Sequence, residues 1–200
     1  MLQEEYKLSV SAGEEVFLQG VEMLLAQKKQ ESAERGDSAV YIHLICTAVS
    51  HPLALAMADI WQRIWPEAVV TGLSETIFDT DSQLVSMVRF NFTYMARSRV
   101  QLLVHKGCDG DYRQIGLALG RKMAGVSGAK AAAVYTTGMS SKLYQLIGAL
   151  GEGNEELVIF GASAGMFEYN DSKPFECTNL FYDLNDKNRL DQQFIFGNEF

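Results

Sequence analysis

Apolar and polar positions recur along this chain with two periods, one near 3.6 residues and one of 2, and the switches between them mark out the elements. Over residues 14–27, Val16, Phe17, Gly20, Val21, Leu24 and Leu25 return at helical spacing, with Glu14, Glu15, Gln19 and Glu22 on the other side. This predicts an amphipathic helix. Residues 27–37 (QKKQESAERGD) are polar and read as the end of that helix running into a loop. An apolar strand follows at 39–46 and a turn at 47–51. Pro52 suits a first helical position, with Ser50 or His51 available to cap, so residues 53–65 predict a second helix that stops before Pro66.

Residues 68–76 (AVVTGLSET) read as a strand that breaks at Gly72. Residues 83–91 and 100–106 have strand composition, and 92–99 between them fits a continued strand or a turn equally well. Residues 109–123 predict a helix whose first turn holds Asp109 and Asp111 and whose last holds Arg121 and Lys122, matching the macrodipole. A strand at 130–135, a polar turn at 136–140 and a helix at 141–150 come next. Residues 157–160 (LVIF) then make a buried strand cut off by Gly161, after which small residues and a polar stretch up to Pro174 read as a loop delivered into a cleft. Strands at 175–182 and 192–196 complete the pattern.

The same order appears twice: strand, polar turn, helix, a strand ending in Gly-x-Ser, then two more strands. It runs over 39–106 and again over 130–196. The expected fold is therefore α/β, with mixed sheets and flanking helices, as one domain over residues 1–200 made of two pseudo-repeated β-α-β-β-β units. In each, the second strand can lie parallel to the first through a right-handed crossover. Open α/β sheets bind ligands at the carboxyl ends of strands, where loops diverge. The repeat thus predicts a site lined by Thr47, Ser50, Ser74, Glu75, Thr76, Thr137, Ser163 and Asn170.

Composition narrows what such a site would hold. With 48% hydrophobic residues in 200, the chain can bury a sizeable core. A formal net charge of -8 opposes the phosphate contacts on which nucleic-acid affinity rests, so no nucleic-acid partner is expected. The N-terminal residues carry Glu4 and Glu5 where a signal peptide needs positive charge, and no apolar run approaches the roughly 20 residues of a membrane span. Cys46, Cys108 and Cys177 are far apart, without C-x-x-C or metal spacing, which suits reduced thiols and a cytoplasmic location. No G-x-G-x-x-G follows a strand and no Walker A lysine appears, so no cofactor is expected. The acidic residues Glu75, Asp79 and Asp81 lack the spacing of a cation loop and read as solvated, with no metal.

Gly161-Ala162-Ser163-Ala164-Gly165 satisfies G-x-S-x-G, the nucleophile elbow of α/β-hydrolases. That elbow needs a strand, a sharp turn and a helix, with the catalytic His later in the chain. Here the residues after it make a poor helix, and His43, His51 and His105 all precede Ser163. A serine hydrolase using Ser163 is therefore an alternative to a chain without catalysis of its own. A further alternative is a non-catalytic dimerisation module working through Trp61, Trp65 and Phe167, although tryptophans at i and i+4 on one helix are more often core.

Three segments together resemble the N-terminal FIST domain: Val69-Val70-Thr71-Gly72-Leu73-Ser74-Glu75-Thr76, Ala133-Val134-Tyr135-Thr136-Thr137-Gly138, and Val158-Ile159-Phe160-Gly161-Ala162-Ser163-Ala164-Gly165-Met166 with Phe175 and residues 179–182. The resemblance spans about residues 40–196. At the first loop the family usually reads Gly-Cys-Ser/Thr-Thr-x-Gly, whereas this chain has Gly72-Leu73-Ser74-Glu75-Thr76-Ile77, with an acidic residue and no second glycine. The second loop carries a single glycine where the family often has two. The resemblance implies a bacterial cytoplasmic sensory domain that binds a small ligand such as an amino acid. It also implies a longer chain with an output domain such as a diguanylate cyclase or histidine kinase. Self-association into a homodimer is the remaining expected partnership.

Overall fold

The computed structural model describes residues 1–47, 49–75, 86–103, 111–126, 128–137, 143–152, 157–164, 167–170, 173–177 and 181–182. The chain divides into two compact units, one built on Met1–Leu102 and the other on Leu103–Phe181. Each is an α/β assembly.

The first unit opens with a strand that the sequence pattern hides. β1 (Leu2–Ser9) pairs antiparallel with β4 (Met87–Met95), and its alternation is muted because the charged Glu4 shares the half-buried face with Tyr6 and Leu8. Between them in sequence come α1 (Glu14–Arg35), β2 (Ala39–Thr47), α2 (His51–Ile64) and β3 (Val69–Glu75). The strands stand in the order β1-β4-β2-β3, with β2 and β3 parallel and the other pairs antiparallel. Of the segment at 92–99 that fitted either a strand or a turn, residues 92–95 are the second half of β4 and 96–99 lie beyond it, and the strand expected at 83–91 runs instead from Met87 to Met95. Residues 100–103, expected to open another strand, are not in one.

α1 reaches eight residues further than its apolar stripe. Residues 27–35 are good helix formers, and Gln27 and Gln30 donate to Glu31 and Glu34 one turn on, at 2.7 and 2.9 Å. Gly36 ends the helix in the left-handed region at φ 70°, its N–H donating to the Ala33 carbonyl while Asp37 N–H donates to that of Ser32, a Schellman motif. The core is made where β2 and β4 alternate strictly. Ile42 and Leu44 on β2, with Val88, Phe90 and Phe92 on β4, bury one face against Phe17, Val21 and Leu25 of α1 and Met57 and Trp61 of α2. Trp65 stacks on Phe92 with centroids 6.5 Å apart.

One charge is buried at the edge of this core. The Lys28 side chain is 4% exposed, with its ammonium 2.9 Å from Glu4, 2.7 Å from Glu31 and 4.5 Å from the Tyr6 ring centroid. Burial pushes the Lys28 pKa down, but hydrogen bonds to Glu31, Tyr6 and Glu4, with the charge of Glu4, outweigh it and leave the group above the ordinary lysine value. An apolar stripe interrupted by a paired lysine is how α1 holds the edge strand.

In the second unit, α3 (Tyr112–Ala124) and α4 (Leu143–Gly151) flank the parallel pair β5 (Ala131–Thr137) and β6 (Val158–Ala164). Asp111 caps α3, accepting from the backbone N–H groups of Arg113 and Gln114. Ala132, Val134 and Ile159 pack on Tyr112, Ile115, Leu119, Leu146 and Leu150, while Val158 and Phe160 face outward. α3 approaches α4 closely at two glycines: a Cβ on Gly116 would meet the Leu146 carbonyl, and one on Gly120 would stand 3.0 Å from that of Leu150. Gly161 does not end its strand. β6 continues through it to Ala164, and φ of 153° there brings the backbone against Val134 so closely that a Cβ would collide with the Val134 carbonyl oxygen.

The stretch expected to be a loop before Pro174 contains β7 (Phe167–Asn170), paired antiparallel with β8 (Lys173–Cys177) as a separate two-stranded sheet. A two-residue strand, β9 (Phe181–Tyr182), ends the described chain. The expected strand at 192–196 lies outside the described residues. The internal repeat is not confirmed. Both units contain a parallel β-α-β passage, but in the first the next strand joins the same sheet, and in the second the next two strands, β7 and β8, form their own.

Candidate functional site

Four of the eight expected site residues gather at the carboxyl end of β2 and β3. Cys46 is in register with Ser74 and Thr47 with Glu75, so Thr47, Ser74 and Glu75 fall on the last two rungs of the parallel pair. Thr47 is fully buried and has Met87 of β4 on its other side. Ser50 comes shortly after and caps α2: its Oγ accepts from Leu53 N–H at 3.3 Å and its carbonyl from Ala54 N–H at 3.0 Å. The N-terminus of a fourteen-residue helix therefore starts within four residues of the end of β2. Thr76 lies outside the described residues, as do Asp79 and Asp81.

Thr137 and Ser163 occupy the equivalent rungs of the second unit, with Thr137 opposite Ala164 and Thr136 opposite Ser163 at the carboxyl end of β5 and β6. Asn170 does not share that end. It closes β7 and pairs with Lys173 in the separate hairpin. Six of the expected residues thus form two groups, each within its own unit, with Asn170 apart from both, and no sheet among the described residues carries the two groups together.

Ser163 sits inside a strand rather than at a sharp turn, and the next described element is the strand β7 rather than a helix. A nucleophile elbow has neither feature. His43 and His51 belong to β2 and α2 of the first unit, and His105 lies outside the described residues. Trp61 and Trp65 are buried, so the aromatic surface suggested for dimerisation is not available from them. They are core residues, Trp61 within α2 and Trp65 at its end, as their spacing predicts.

A polar row that the sequence pattern did not reveal crosses the first sheet on the face away from α1 and α2. In register, Glu5 faces Asn91, Asn91 faces His43 and His43 faces Thr71, and residues two apart share a face. The hydroxyl of buried Thr71 lies 2.7 Å from Tyr41 Oη and 3.1 Å from His43 Nδ1, and Asn91 Nδ2 donates to the His43 carbonyl at 3.3 Å. The Tyr41 and His43 rings stack at an interplanar angle of 21°. Burial disfavours the imidazolium and lowers the His43 pKa to about 4, so the ring is neutral near pH 7. At the exposed end of the row lies a recess of about 340 Å³ lined by Gln3, Glu4, Glu5, Asn91, Phe92 and Thr93. The signal for this row was the alternation of β4, but without β1 in place Glu5 had no partner to align with.

Among the described residues, no group of His, Cys, Asp and Glu side chains has the arrangement of a metal site, and no helix is long and apolar enough to cross a membrane. No protein-family model, curated protein or solved structure matches the chain.

Proposed function

We propose that the chain is a small-ligand sensing domain of the FIST type, without catalysis of its own, acting in the cytoplasm as part of a longer signalling chain whose output domain is a diguanylate cyclase or histidine kinase. The observation that carries this reading is the end of the parallel pair β2 and β3, where Thr47, Ser74 and Glu75 stand on the last rungs and α2 begins four residues later. Ligands of α/β sheets bind at that end, where helix N-termini and loop N–H groups offer donors and a carboxylate offers a counter-charge. An amino acid or related metabolite meets both, its carboxylate held by backbone donors and its ammonium by Glu75. Thr137 and Ser163 give the second unit a similar polar end.

A thermal-shift screen of amino acids and related metabolites tests the proposal. A ligand that binds only the native state at a hundredfold excess over its Kd raises stability by about 2.7 kcal/mol. Glu75→Gln is then expected to weaken an ammonium-bearing hit at least tenfold, as loss of a charged hydrogen-bond partner costs about 1.5–3 kcal/mol. A screen without any hit, together with covalent labelling of Ser163 by a fluorophosphonate, would establish the hydrolase reading in its place.

A further inference from the structure

β1 is an open edge. It stands at the end of the sheet order, and among the described residues no strand pairs with its outer side. It runs for eight residues in unbroken register with β4, without proline or bulge, so half of its N–H and C=O groups face outward as a template for another strand.

We propose that β1 pairs with β1 of a second copy of this chain, joining the two first-unit sheets edge to edge about a two-fold axis. The occupant is identified by charge. If antiparallel pairing is centred on Tyr6, Glu5 of each copy stands opposite Lys7 of the other, so two opposite-charge pairs form across the axis. Both side chains are exposed and bond one another within the strand at 3.1 Å, which leaves them free to exchange partners. A strand of any other sequence would have to match the order acidic, apolar, basic in reverse. This one matches itself, as a two-fold interface requires.

The helix above the edge supports the same partner. Gly20 of α1 packs on Leu8 of β1, with the Leu8 methyl groups 3.7 and 3.8 Å from its ideal Cβ position, while Glu22 and Lys29 reach toward α2 from the other side of the helix. At 100° per residue, Val16 and Met23 project on the β1 side, away from α2. They are 56% and 73% exposed. In the two-fold arrangement the α1 helices of the two copies run beside each other, and these apolar side chains gain a partner. This inference is independent of the ligand reading and relocates self-association from Trp61 and Trp65 to β1.

Sedimentation equilibrium of the full chain over a concentration series tests it. The wild type is expected to approach twice the chain mass, and Lys7→Glu, which sets four carboxylates together, to weaken association at least tenfold while far-UV circular dichroism stays unchanged. The double swap E5K/K7E keeps the pattern self-complementary and is expected to restore the dimer. Met23→Gln provides a second probe, with a weaker dimer expected. A monomeric wild type at every concentration overturns the proposal, as does a Lys7→Glu chain that dimerises like the wild type or a double swap that stays as weak as the single variant.

Discussion

The imidazole of His43 is shielded by its own strand and by β3 and β4, and this gives the residue a measurable part in stability. Its pKa in the unfolded chain is near 6.5 and in the folded chain about 4, so between those values the unfolded state binds more protons. The contribution is complete above pH 6.5 and is lost as the pH falls toward 4. Its size is on the order of 3 kcal/mol, from 1.36 kcal/mol per pKa unit. Carboxylates titrate over part of the same range, so the comparison that isolates His43 is with His43→Gln. Urea midpoints measured from pH 7.5 to 4 are expected to fall more steeply for the wild type than for the variant, and parallel slopes would show that His43 is protonated equally in both states. At this scale the sequence was partly legible. Ser50 before His51-Pro52 announced a cap, and the tryptophan spacing announced core. The bond from Thr71 to Tyr41 and His43 was not legible, because it depends on the register of β2 against β3.

Among the elements, helices and central strands followed their periodicity closely, and the departures have physical causes. α1 outruns its apolar stripe because propensity and side-chain pairs sustain it to a glycine cap, and β1 escaped notice because an edge strand with charged residues lacks a clean alternation. Gly72 and Gly161 looked like strand ends, yet β3 and β6 run straight through them; at Gly161 the missing side chain serves where the backbone meets that of Val134. The same property makes glycine in α3 and α4 a test of packing. Gly116→Ala gains about 1 kcal/mol of helix propensity but drives a methyl into the Leu146 carbonyl and to 2.9 Å from Ala149 Cβ, and overpacking costs about 1–3 kcal/mol. Net destabilisation is expected in urea unfolding followed by far-UV circular dichroism. Gly148→Ala on α4, where nothing lies within 4 Å, is expected to stabilise by about 0.5–1 kcal/mol. If both variants gain stability, the helices are not in the close contact described.

For the whole molecule, the α/β class was legible because apolar runs alternate with helical stretches, and the expected repeat was legible only as far as the two β-α-β passages. The strands after each passage are placed by long-range pairing that no local pattern encodes, which is why Asn170 stands apart from Thr137 and Ser163. The burial of Trp61 and Trp65 has a practical result. They are the chain's two tryptophans, and both lie in the first unit. Their intrinsic fluorescence therefore reports unfolding of that unit and is blind to the core around Leu119 and Leu146, whereas ellipticity at 222 nm sums the helices of both. Melting curves recorded by the two signals are expected to coincide if the units unfold together. If they separate, the fluorescence trace alone gives the stability of the first unit, an optical assignment made by the chain itself without a label.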